Sequence, residues 1–187
     1  MKELETFTKD FDRLWAKTQT TMLSNNTLDN IERHLLNNQQ SIGSNQYTTL
    51  NKKFGIYIFY IKPKQTYNYK SLCEDWRQSN YDRYPKVIKK TFNQYQDIDT
   101  EKWYPLYIGK CQNLGKRLLE HITHRDKKST YSLKLNGRAQ FSSDNVTYSF
   151  WELPHTVMTD SKEIKQFILT QLEYQLRRKI NPWIGKQ

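Results

Sequence analysis

The sequence predicts a mixed α/β fold of the α+β kind, a small central sheet of mixed or antiparallel strands flanked by helices. Three observations predict it. Two apolar runs, "FGIYIFYI" (54–61) and "YPLYIG" (104–109), read as strands. "NVTYSFWEL" (145–153) alternates like a third strand. Apolar residues three and four apart mark helices before, between and after these strands, and no internal repeat interrupts the order.

The elements follow in sequence. Residues 3–18 place Leu4, Phe7, Phe11, Leu14 and Trp15 on one helical face. "TLDNIERHLLNN" (27–38) predicts a second helix with Leu28, Ile31 and Leu35 inward, and "NNQQSIGSNQYTTLN" (37–51) a polar loop. These first fifty residues read as a helical extension. "KKFGIYIFYI" (52–61) is the most apolar stretch; its strand is apolar on both faces and should be covered on both. A polar, aromatic-rich insert spans 62–103, with short helices expected around "YKSLCEDWRQ" and "YPKVIKKTFNQY". Pro105 opens the second strand, where a missing N–H is tolerated. Asn113 should cap a helix whose apolar face is Leu114, Leu118 and Ile122. The last helix is predicted from Asp160, with Glu163 completing a capping-box-like pair, Ile164, Ile168, Leu172 and Leu176 inward, and Pro182 as its stop. One domain is expected over 1–187.

Composition narrows the partners. The 187 residues carry 30 Lys and Arg against 19 Asp and Glu, a net charge of +11, which favours a polyanion. No apolar run approaches the roughly 20 residues that span a bilayer, and "MKELETFTKD" has no apolar signal core. Two cysteines, Cys73 and Cys111, make neither a disulfide framework nor a zinc site. The expected setting is the cytoplasm, without membrane attachment.

The residues able to carry chemistry are weak signals singly. Arg117 and His121 lie four apart on one helical face, a fixed cation beside a proton donor. Glu173 and Arg177 read as an ordinary i, i+4 pair. Tyr57 and Tyr107 read as core aromatics, and Lys110 as a solvated strand end. Their order is informative. Gly55-Ile56-Tyr57, then Tyr107-Ile108-Gly109 with Lys110, then "LYIGKCQNLGKRLLEHI" with Arg117 and His121, then "LEYQLRRKINPW" with Glu173, together resemble the GIY-YIG nuclease family. The resemblance covers 52–61 and 104–183. It departs from the family's pattern in the long insert between the half-motifs, and at Gly185, near the place where the family often carries an Asn; Asn181 is the nearest substitute.

The resemblance implies a divalent-metal-dependent endonuclease that hydrolyses phosphodiester bonds in double-stranded DNA. Its catalytic set would be Tyr57, Tyr107, Lys110, Arg117, His121 and Glu173. Glu173 would bind one Mg²⁺ (or Mn²⁺) that keeps waters and takes phosphate oxygens. Arg117 would hold the phosphate, Tyr57 would position or deprotonate the water with Lys110 as the helping cation, and Tyr107 and His121 would hydrogen-bond around the phosphate or relay protons. Lys116, Arg125, Lys127, Lys128, Lys134 and Arg138 form a basic surplus suited to a duplex backbone. Tyr, Asn and Gln of the insert could stack on bases or read them, or else build a structural flap. With no room for a separate DNA-binding module, a type II restriction enzyme is expected, acting as a homodimer on a two-fold site; a cognate DNA methyltransferase is a candidate partner that the sequence does not itself identify. The alternatives are a structure-specific, repair or phage-defence nuclease, and a non-catalytic nucleic-acid-binding protein on a relict nuclease fold.

Overall fold

Strand β2 (Gly55–Ile61) is buried along all seven residues, because both faces of its sheet are covered. The computed structural model describes residues 1–44, 46–77, 83–123, 131–155 and 161–185. The sheet is antiparallel, in the order β1 (Gln40–Ser41), β5 (Val146–Glu152), β2, β4 (Tyr104–Cys111). Alternation along β2 divides the core in two. Tyr57, Phe59 and Ile61 face helix α5 (Leu114–Thr123), with Leu114, Leu118, Ile122, Phe141 and Tyr148. Ile56, Ile58 and Tyr60 face helices α2 (Asn25–Asn37) and α6 (Lys162–Ile180), with Ile31, Leu35, Leu169 and Leu172. Truncating any of these isoleucines to alanine would cost about 2–5 kcal/mol. Gly55 opens the strand because an added Cβ would sit 2.3 Å from the Trp151 carbonyl oxygen on β5.

The strands and helices expected at the core are present. Asn113 caps α5 as predicted: its Oδ1 accepts from the Lys116 backbone N–H at 3.0 Å. Pro105 sits on β4, an edge strand, and the register slips opposite Phe59 and Tyr60 beside it.

Several expectations change. Helix α2 belongs to the core rather than to an extension, since Leu28, Ile31 and Leu35 pack under the sheet. Helix α1 (Lys2–Thr21) buries no residue. The polar loop at 37–51 contributes β1 and a 3-10 turn (Gln46–Leu50), fixed by Tyr47, whose ring lies 5.5 Å from that of Tyr148 and whose hydroxyl donates to the Ile42 carbonyl. Ser161, not Asp160, caps α6: its Oγ accepts from the Ile164 N–H at 3.2 Å, while residue 160 lies outside the described residues. Burial on α6 begins only at Ile168, so Ile164 stays 48% exposed. The helix ends at Asn181 in the left-handed region, φ 52°, before Pro182.

The insert is built into the core. It holds α3 (Tyr69–Arg77), β3 (Lys86–Val87) and α4 (Lys89–Phe92), and β3 pairs with β6 (Ile184–Gly185) near the C-terminus. Tyr67, Trp76, Tyr84 and Phe92 are buried, and Trp183 packs on Phe92 and Tyr104 with centroids 5.2 Å away. Those aromatics are committed to packing and present no stacking surface. Among the described residues, no helix is long and apolar enough to cross a membrane.

Candidate active site

The β2–β4 pairing sets the centre. Tyr57 lies opposite Gly109, and its ring crosses that residue: a Cβ at 109 would fall 2.4 Å from Tyr57 Oη. The glycine thus gives the tyrosine its seat. Helix α5 closes over the same face, and the four-residue spacing of Arg117 and His121 brings both to the Tyr57 hydroxyl. His121 Nε2 is 2.8 Å from Tyr57 Oη, and Arg117 Nε donates to it at 3.3 Å. Tyr107 completes the group, with its ring centroid 6.2 Å from Tyr57 and 5.1 Å from His121.

Hydrogen bonding fixes the histidine's role. The Leu133 backbone N–H donates to His121 Nδ1 at 3.0 Å, so Nδ1 is the acceptor nitrogen and Nε2 carries the proton. His121 therefore donates to Tyr57. The Tyr57 oxygen accepts from two donors, one of them a cation, an arrangement suited to negative charge on that oxygen. Burial works the other way. Tyr57 is 1% exposed, and burial first, then Tyr107, push its pKa well above the usual tyrosine value, while Arg117 pulls it down.

Both charged residues are paired within the chain. Arg117 Nη1 donates to Glu120 Oε2 at 2.8 Å, and Nη2 to the Tyr131 carbonyl at 2.6 Å. Arg177 Nε donates to Glu173 Oε1 at 3.0 Å, Nη2 bonds the same oxygen, and Nη2 also donates to the Ile108 carbonyl on edge strand β4 at 2.8 Å. The expected i, i+4 pair is thus present, and it ties Glu173 to the YIG strand. The Arg177 guanidinium lies 5.9 Å from the Tyr107 ring, which links Glu173 to the Tyr57 group. It also lies against Gly185, where a Cβ would meet Nη1 at 2.4 Å. Asn181 contributes its backbone, as cap of α6 and as acceptor from Tyr95 Oη at 2.8 Å.

The donor set bears on a metal. Among the described residues no three His, Cys, Asp or Glu converge, so a cage built wholly of protein has no place there. Glu173 fits a different site. Its bonds to Arg177 use Oε1 alone, so one hard carboxylate oxygen takes no part in them. One such ligand suits an oxygen-seeking divalent ion that keeps most of its waters.

Three predicted residues are placed differently. Lys110 pairs with Ile56, so strand alternation gives it the sheet face opposite Tyr57, and Arg117 is the cation beside that hydroxyl. Lys134 and Arg138 are 0% and 4% exposed and offer no surface to a duplex. The Arg138 guanidinium stacks 3.6 Å above the Trp76 ring and donates to the Leu133 and Trp76 carbonyls, so it joins the insert to the segment covering His121. Lys116 is exposed, as a phosphate contact requires, and Arg125, Lys127 and Lys128 lie outside the described residues. Sequence reasoning missed Glu120, which its three-residue spacing from Arg117 could have revealed. It also missed the Tyr131 carbonyl and Leu133 N–H, main-chain groups that leave no signal in residue type. Compared with known proteins, the chain matches no family model, no curated protein and no solved structure.

Proposed function

We propose that the protein is a divalent-metal-dependent endonuclease for double-stranded DNA, of the type II restriction kind, built on a GIY-YIG-like core and working as two copies. What carries the reading is the Tyr57 hydroxyl, held between Arg117 and His121 beside Tyr107, in the order that the half-motifs imply. The net charge of +11 and exposed Lys116 suit a phosphate backbone.

Phosphodiester hydrolysis needs an activated water and a counter-charge for the phosphate. Arg117 turns part of its guanidinium from Glu120 and the Tyr131 carbonyl to the non-bridging oxygens, where it opposes the growing negative charge. Tyr57 takes the proton of the water, and the phenolate is held by the Arg117 Nε–H and His121 Nε2–H. Tyr107, at the more open side of the group, hydrogen-bonds the phosphate. Glu173 would hold Mg²⁺, or Mn²⁺, which would supply Lewis-acid stabilisation at the leaving oxygen.

The raised Tyr57 pKa gives the reading a pH signature. Below that pKa the phenolate fraction grows tenfold per pH unit, so single-turnover cleavage should rise with a slope of one in log rate across roughly pH 6.5 to 9, without a plateau. Tyr57→Phe should lose about 10²-fold or more. A flat wild-type profile, or a Tyr57→Phe variant at the wild-type rate, contradicts the base role.

A second reading, a nucleic-acid-binding protein without catalysis, rests on one observation: Arg117 and Glu173 are both paired within the chain, and Tyr57 is nearly sealed. Duplex binding with no cleavage in any divalent ion would select it.

A further inference from the structure

Helix α1 carries an apolar stripe that the described chain leaves open. Leu4, Phe7, Phe11 and Leu14 are spaced three, four and three apart, the seam spacing of paired helices, and are 67%, 66%, 50% and 61% exposed. The seam positions that follow are Thr18 and Thr21, so the stripe is bounded. The helix is moored through Trp15, whose ring meets Phe167 of α6 edge-on at 5.7 Å.

We infer that α1 pairs antiparallel with α1 of a second copy of this chain, across a two-fold axis near residue 9. This locates the contact of the two-copy reading above, and it stands apart from the catalytic part of that reading.

Two features select this occupant. The first is a palindrome. A two-fold interface is made of the same patch on both copies, so the patch must complement itself. Leu-Phe-Phe-Leu at spacings three, four, three reads the same in both directions. Reversing one helix sets Leu4 against Leu14 of the second copy, and Phe7 against Phe11 of the second copy, in four matched layers. The second feature is charge. Glu3, one residue before Leu4, comes opposite Lys17, three residues beyond Leu14, and the symmetry makes that pair twice. Asp10 meets its own copy near the axis, but Arg13 already partners it at 3.7 Å within the helix. A parallel pairing would set each charged end, and each helix-dipole end, against its like.

The test is the mass of the full chain in solution, with neither DNA nor metal present, so its failure is distinct from failure of the nuclease reading. Sedimentation over about 1–100 µM, the range for a small interface, should show twice 22.6 kDa at the upper end. Phe7→Glu with Phe11→Glu should give a monomer whose thermal melt matches that of dilute wild type, because both rings are exposed in their own chain and the Trp15 contact with α6 is left in place. Glu3→Lys and Lys17→Glu should each weaken dimerisation several-fold, and the two together should restore it. A wild-type monomer at 100 µM, a dimer that survives the paired Phe substitutions, or a charge swap that fails to restore pairing would each overturn the inference.

Discussion

Replacing Arg117 by alanine should lower single-turnover DNA cleavage by about 10³–10⁵-fold, the range seen when a guanidinium that opposes phosphoryl charge is removed. Duplex affinity should fall only by the share of one phosphate contact, so binding and cleavage separate. The loss has two sources here. In the proposed mechanism Arg117 would supply the cation for the phosphate, and it is one of the two donors that hold the Tyr57 oxygen. Lysine should rescue little, since a single ammonium cannot bond Tyr57 through Nε while facing a phosphate with the rest of a fork. A thermal melt controls for stability, because Glu120, with only 18% of its side chain exposed, loses its partner. Cleavage by Arg117→Ala within tenfold of wild type would remove Arg117 from the chemistry.

Glu173→Gln should be nearly as severe, about 10³-fold, because a Lewis acid contributes several kcal/mol to the transition state and each tenfold is worth about 1.4 kcal/mol. The substitution keeps the size of the side chain and removes its charge. Mg²⁺ dependence should be lost together with activity, while duplex binding remains. The ion pair with Arg177 adds a directional expectation. Arg177 neutralises the carboxylate that a cation would need, so Arg177→Met should tighten Mn²⁺ binding to the DNA-free protein, read by calorimetry. Full activity in Glu173→Gln would end the assignment of the metal to this residue.

The core was legible because its signals are local. The apolar run of β2, the alternation of β5 and the Asn113 cap each depend on neighbouring residues alone. Arg117 and His121 share a face by helical spacing, and they do meet at Tyr57. What was not legible depends on register and on distant partners. Lys110 looked close to Tyr57 in a paired strand, but only the Ile56–Lys110 register shows that it belongs to the other face. Lys134 and Arg138 looked like part of a basic surface, yet Arg138 stacks on Trp76, sixty-two positions earlier in the chain. The two-residue strands β1 and β6 are too short to leave a period, and exist because β5 and β3 offer them an edge. The α1 stripe was readable as a pattern, whereas its exposure was not.

The most direct measurement is incubation of the wild-type protein with a pool of unrelated plasmids and Mg²⁺, with a chelator-treated sample alongside. A Mg²⁺-dependent restriction enzyme should give a reproducible set of discrete fragments that appears with Mg²⁺ and disappears with the chelator. Intact DNA in Mg²⁺ and in Mn²⁺, despite retained duplex binding, would contradict that reading.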